Sequence, residues 1–193
     1  MQARPIFTLG LLALALAACA SKPTQFHTLD PSPPAGAVAG GSMALPIQVD
    51  SVTLPPELDR PELVRRSGPG NLDVADIDRW AGPLDQIARQ VLATDLAERL
   101  PAGATVPPDD PAPPSKRRGL DVEIERFDGD LGGRVTLIAH WTLLEGSAAR
   151  KALRREEHID IPAASADIGG TVSGMSRALG VLADRIAAAA RSV

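Results

Sequence analysis

The chain has 193 residues, a formal net charge of −4 and only 3% aromatic residues, with no Tyr. So mild an acidity excludes a general nucleic-acid surface, and the lack of a later stretch of about 20 apolar residues excludes a second membrane span. The 18 Pro and 17 Gly imply long loops or a linker.

At the amino end, Met1 to Arg4 is short and positive, Ile6 to Ala18 is mostly apolar, and small residues follow. The run is too short to span a bilayer and has the layout of a secretory signal, residues 1–18. Leu16-Ala17-Ala18-Cys19 resembles the lipobox of bacterial lipoproteins, in which cleavage precedes the Cys and the thiol takes a diacylglycerol. The competing reading is an ordinary signal with an incidental Cys. A lone thiol in an oxidising compartment counts against that, and a thioether-linked lipid removes the anomaly. No other cofactor is expected: the covalent groups are the diacylglycerol and an N-acyl chain on Cys19. Ala20-Ser21, with no Asp after the Cys, resembles lipoproteins sent to the outer membrane. Residues 19–43, rich in Pro and Gly, read as a lipidated tether, with Phe26 to Leu29 apolar enough for a short edge strand.

Residues 44–193 read as one domain. Leu45, Ile47 and Val49 alternate, and Val52 and Leu54 alternate in the opposite phase, which predicts a strand with a bulge near Asp50-Ser51. Glu62 to Arg66 is a second strand, Gly68 to Asn71 a turn, and Leu72, Val74 and Ile77 a weaker third strand leading to Trp80. From Pro83 the spacing of Leu84, Ile87, Ala88, Val91, Leu92 and Leu96 predicts a helix to Leu100, closed by Pro101. Residues 101–119 read as a Pro-rich loop. Leu120, Val122 and Ile124 face inward on a half-exposed strand, Asp128 to Gly133 turns, and Val135, Leu137, Ala139, Trp141 and Leu143 line the next strand. Arg150 to Ile161 fits a charged edge strand. Ile168, Val172, Met175, Leu179, Leu182 and Ile186 mark a last helix. The expected fold class is α+β: an antiparallel or mixed sheet from two strand blocks, with two long helices packed on one face.

Chemistry is sparse. His27, His140 and His158 have no metal-ligand spacing, so no metal site is expected. Thr171 to Ser176 lacks a nucleophile elbow, and Glu123 and Glu125 share a strand face without a nucleophile beside them. No catalytic residue is expected, and the chain is not read as an enzyme. Lys116-Arg117-Arg118 is either a solvated loop or a contact for anionic head groups or an acidic partner. Arg60, Pro61, Arg65, Arg66 and Arg79 bracket the segment before Trp80, where a binding edge could form.

Together these features resemble the ABC-type transport auxiliary lipoproteins, the paraquat-inducible protein C-like group. The resemblance rests on Cys19, Leu54 to Arg66 (LPPELDRPELVRR), Asp78 to Leu84 (DRWAGPL), Arg126 to Leu143 (RFDGDLGGRVTLIAHWTL) and Met175 to Leu179 (MSRAL). Gly82, standing where an acidic residue is expected, and the long Pro-rich insert depart from the pattern. The resemblance implies an outer-membrane lipoprotein on the periplasmic face that works with an MCE-domain protein and inner-membrane transport components in moving lipid between membranes. It also implies assembly as a homo-oligomer. The contact region is expected at Arg60, Pro61, Arg65 and Trp80, a core role for Trp80 being the alternative. A periplasmic lipid-binding carrier is the rival function.

Overall fold

The structure, a computed structural model, describes residues 22–36, 43–145 and 152–192. The signal segment and Cys19 lie outside the described residues. In chain order come β1 (Gln25–His27), β2 (Ile47–Thr53), β3 (Glu62–Gly68), β4 (Asn71–Trp80), α1 (Leu84–Arg99), β5 (Arg118–Asp130), β6 (Arg134–Glu145), β7 (Ala152–Pro162) and α2 (Ile168–Ala190). A single 3-10 turn at Pro114–Lys116 interrupts the long loop before β5. The fold is α+β, with one mixed sheet of seven strands.

β5 is the centre of the sheet. Along one edge β6 pairs with it antiparallel throughout, from Arg118↔Glu145 to Gly129↔Val135. The other edge is divided: β2 runs parallel to residues 118–123, and β3 runs parallel at Arg65↔Gly129 and Arg66↔Asp130. From β3 the sheet continues through β4 to β1, and from β6 to β7. β2 carries the expected bulge, between Val49 and Ser51, and it lets Ile47, Val49 and Val52 all be buried.

The second strand block differs from expectation at its turn. Strict alternation from Leu120, Val122 and Ile124 would carry Arg126 inward. Instead a bulge between Ile124 and Arg126 shifts the phase, so Phe127 enters the core and the strand runs on to Asp130. The turn is confined to the three residues after it, closed by Gly133 at φ 81°. β7 is an edge strand, and its charged residues blunt that edge.

Both helices lie on one face: α1 packs on β2 and α2, and α2 packs on β5, β6 and β7. Asp167 caps α2 by accepting the Gly170 N–H at 2.7 Å. That amide and the Ser165 hydroxyl hold the Asp167 carboxyl below the usual range. Close seating of α2 requires glycine at position 174, where a Cβ would stand 2.6 Å from Val135 Cγ2. The core is otherwise aliphatic, with Trp141 and Phe127 its large buried pieces.

Candidate functional site

Part of the expected tether is docked on the domain. β1 adds to β4 in parallel, Gln25↔Asp78 to His27↔Trp80, as the short edge strand expected there. The docking then continues beyond it: His27 Nε2 lies 2.7 Å from Asp78 Oδ1, Leu29 is buried, and the Asp30 N–H donates to Ser176 Oγ at 3.1 Å. Ser32 N–H donates to Asp95 Oδ1 at 2.8 Å. Gly180 on α2 makes room for this strap, since a Cβ there would meet Ser32 Cβ at 2.6 Å.

The clasp beneath the strap is ionic and buried. Arg99, 4% exposed, donates to Asp184 Oδ1 at 2.7 Å, to the Asp95 carbonyl at 2.9 Å, and to the Ser32 and Pro33 carbonyls at 2.9 and 3.3 Å. Asp95 has no exposed surface, and its Oδ2 has no partner among the described residues. Burial pushes its carboxyl up to about 6, against the Ser32 amide and Arg99, which pull it down. Sequence reasoning passed over this pair, although residues 95 and 99 continue the apolar stripe of Ala88, Leu92 and Leu96 at helical spacing.

The raised carboxyl has a testable consequence. A group that binds its proton more tightly when folded stabilises the fold fully below its unfolded pKa, and that stability is lost as pH rises through the folded value. Wild type should therefore lose up to about 3 kcal/mol from this group between about pH 4 and 6. Asp95→Asn removes the titration, so its stability relative to wild type should climb across that window in paired urea melts. A constant difference would mean that Asp95 ionises as it does in the unfolded chain.

Between the strap and α1 lies an open groove of about 940 Å³, with Leu29, Val52, Ile87 and Val91 on its apolar side and Asp50 and Asp85 on its polar side. Gly82 lines it, at the position where an acidic residue was expected. Arg89 closes one end, donating to the Val49 carbonyl at 3.0 Å and to Asp109 at 3.1 Å.

The structure separates the four expected contact residues by role. Trp80 is 5% exposed, within the core, and its amide donates to the Pro61 carbonyl at 2.8 Å. Arg65 bonds Asp73 at 2.9 Å and the Ala166 carbonyl at 3.2 Å. Arg60 is the open one: it pairs with Glu62 at 3.1 Å, and Arg79 reaches the other oxygen of Glu62 at 3.5 Å. The Arg60 hydrogen bond holds the Glu62 carboxyl below its usual range.

The basic run is mostly consumed internally, in place of the solvated loop or the head-group or acidic-partner contact that were its two readings. Arg117 clamps Asp50 at 2.6 and 2.8 Å, and Arg118 is buried, donating to the Ala190 carbonyl at 3.1 Å. Burial lowers the Arg118 guanidinium from its ordinary range. His140 faces Glu125 at 2.8 Å on the helix-free face of the sheet. Ser176 is buried rather than on the helix surface: its hydroxyl donates to the Val172 carbonyl at 3.1 Å and accepts the Asp30 N–H of the strap. Among the described residues no cluster of three His, Cys, Asp or Glu could hold a metal ion, and no helix is long and apolar enough to cross a membrane.

No curated protein matches the chain. Among solved structures, an uncharacterised protein aligns with TM-score 0.67 and 20% identity, over 89% of this chain and 99% of its own. A Xanthomonas campestris protein of family DUF330 aligns with TM-score 0.65 and 18% identity, over 85% and 93%. At these identities the likeness establishes the fold. The sequence model of the ABC-type transport auxiliary lipoprotein component matches residues 27–187, from the docked strap to the last helix, and the chain belongs to that family.

Proposed function

We propose that the chain is an outer-membrane lipoprotein facing the periplasm, which docks an MCE-domain protein of an ABC-type intermembrane lipid transport system and so supports envelope integrity. The observation that carries this reading is the family match over residues 27–187. Acyl chains on Cys19 hold the protein to the leaflet, and the surface around Arg60, Pro61 and Arg65, backed by Trp80, meets the partner. Arg60 suits that role because its side chain is 42% exposed and shares Glu62 with Arg79.

Crosslinking the full-length lipoprotein in native membranes and identifying the captured proteins tests the reading. Recovery of an MCE-domain protein supports it, and Arg60→Glu combined with Arg65→Glu should lower that recovery about tenfold, or 1.4 kcal/mol. Capture of cell-wall material or lipid alone overturns it. Cys19→Ser should move the protein out of the membrane fraction and remove the acyl mass. The groove between strap and α1 favours a second reading, a periplasmic lipid carrier. Lipid that stays bound in native mass spectrometry, and is lost in Ile87→Glu, would favour it.

A further inference from the structure

Four large apolar side chains stand exposed among the described residues: Phe26 at 67%, Leu131 at 46%, Leu72 at 39% and Val74 at 36%. They come from three separate stretches of the sequence, and the sheet brings them to one region. Pairing sets Leu72 opposite Arg66 and Val74 opposite Val64, while Phe26 stands opposite Arg79, which stands opposite Glu62. Residues directly opposite share a face. The β3–β4 register shifts between Glu62 and Val64, so the side of Phe26 is fixed separately: its neighbour His27 lines a cleft with Val172 and Ser176 of α2, which turns Phe26 away from the helices. Phe26, Leu72 and Val74 therefore emerge on one side. Arg65, in the opposite phase, reaches the Ala166 carbonyl beside α2, so that side is the one away from the helices. Leu131 adjoins them, its amide donating to the Arg66 carbonyl at 3.3 Å.

The charges of this face are matched in place. Asp128 takes Arg66 and Arg126 at 3.0 and 2.9 Å, and at the rim Glu62 takes Arg79 and Arg60, the latter in the loop before β3 and left to meet the partner protein. Pairing lowers the penalty of partial desolvation. Asp76 on β4 stays exposed, which limits any apolar contact to head-group depth.

The entry of the chain says what lies against this surface. β1 runs parallel to β4, with Gln25 opposite Asp78, so the chain traced back from Gln25 heads toward the β3–β4 turn that carries Leu72 and Val74. Lys22, Pro23 and Thr24 are exposed on that path. Cys19 precedes Gln25 by six residues, a reach of at most about 22 Å. A lipid on Cys19 thus holds this edge of the sheet close to the leaflet, because docking of the strap has shortened the free tether.

We infer that the helix-free face of the β1–β4–β3 end, with Phe26, Leu72, Val74 and Leu131, rests on the lipid surface that anchors the protein. The inference depends on the reading of Cys19 as the lipidated residue, and it sets the orientation of the domain: α1 and the groove face away from the membrane. Acyl chains and a shallow apolar contact form the two signals that give stable, oriented anchoring.

The test uses the full-length lipoprotein in vesicles of phosphatidylethanolamine and phosphatidylglycerol. Acylation leaves no native thiol, so single cysteines at Leu72→Cys, Leu131→Cys and, as a control on the far edge strand, Glu156→Cys take an environment-sensitive fluorophore. Intact mass reports the acyl chains on Cys19 in each sample. The expected result is blue-shifted emission at 72 and 131, quenched by lipids spin-labelled near the head group, with neither effect at 156. Equal emission at all three sites on acylated protein overturns the inference while leaving the anchor intact. A blue shift that spin-labelled lipid does not quench overturns it too, by showing a protein surface over the patch. An unmodified Cys19 removes the anchor reading and the inference together, and the mass distinguishes this failure from the others.

Discussion

Arg99→Ala is expected to destabilise the domain by about 3 to 5 kcal/mol, the loss typical when one member of a buried ion pair is removed. Four groups lose a donor at once. Asp95 keeps only the Ser32 amide, Asp184 loses a 2.7 Å bond, and the Ser32 and Pro33 carbonyls lose their donor. A buried carboxylate without a cation takes up a proton instead, so the Asp95 carboxyl should move further above about 6. The deficit of Arg99→Ala should therefore be smaller at pH 5 than at pH 7.5, a pH dependence that a packing loss alone would not produce. Chemical denaturation at both pH values measures it. Hydrogen exchange at residues 27–33 should rise in the variant, since the strap loses its clasp while the sheet keeps its ladders. Adding Asp95→Asn should recover part of the loss, because it removes the charge left stranded. A loss below about 1 kcal/mol, equal at the two pH values, would show that water replaces the guanidinium without penalty.

The parts of this fold that could be read in advance are those where one period governs a run. The phase switch between Val49 and Val52 announced the β2 bulge, and the 3.6-residue stripes of α1 and α2 announced both helices. The β5 bulge was hidden, because Arg126-Phe127-Asp128 offers a single apolar residue after the shift, and one residue cannot establish a phase. The docked strap was harder still. Its composition is that of a linker, and what holds it is backbone amides and carbonyls meeting Asp95, Arg99 and Ser176, distant by 63 to 146 residues. Local pattern cannot register such partners. For the same reason Arg117 and Arg118 read as a surface run, although their partners Asp50 and the Ala190 carbonyl draw them into the fold. Of the residues expected at the partner surface, Trp80 is covered and Arg60 open, a distinction that local pattern does not carry.

Trp141 carries the other large prediction. It has no exposed surface and is the largest fully buried side chain among the described residues, in a core that also holds Phe127, Trp80 and many leucines and alanines. Removing so large a fully buried side chain leaves a cavity that its surroundings close only in part, so Trp141→Ala should lose about 3 to 5 kcal/mol. Trp141→Phe should behave very differently. The indole Nε1 has no hydrogen-bond partner among the described residues, and a buried donor left unmade carries a penalty of about 1 to 3 kcal/mol. Phenylalanine removes that donor while keeping much of the ring, so the lost contacts and the relieved penalty largely offset, and the net change should stay below about 1.5 kcal/mol. Urea denaturation of the two variants side by side decides the point. If Trp141→Phe proved as damaging as Trp141→Ala, the indole N–H would have to be satisfied in solution by a water between β6 and its neighbours, and the sheet would be wetter at its centre than its packing implies.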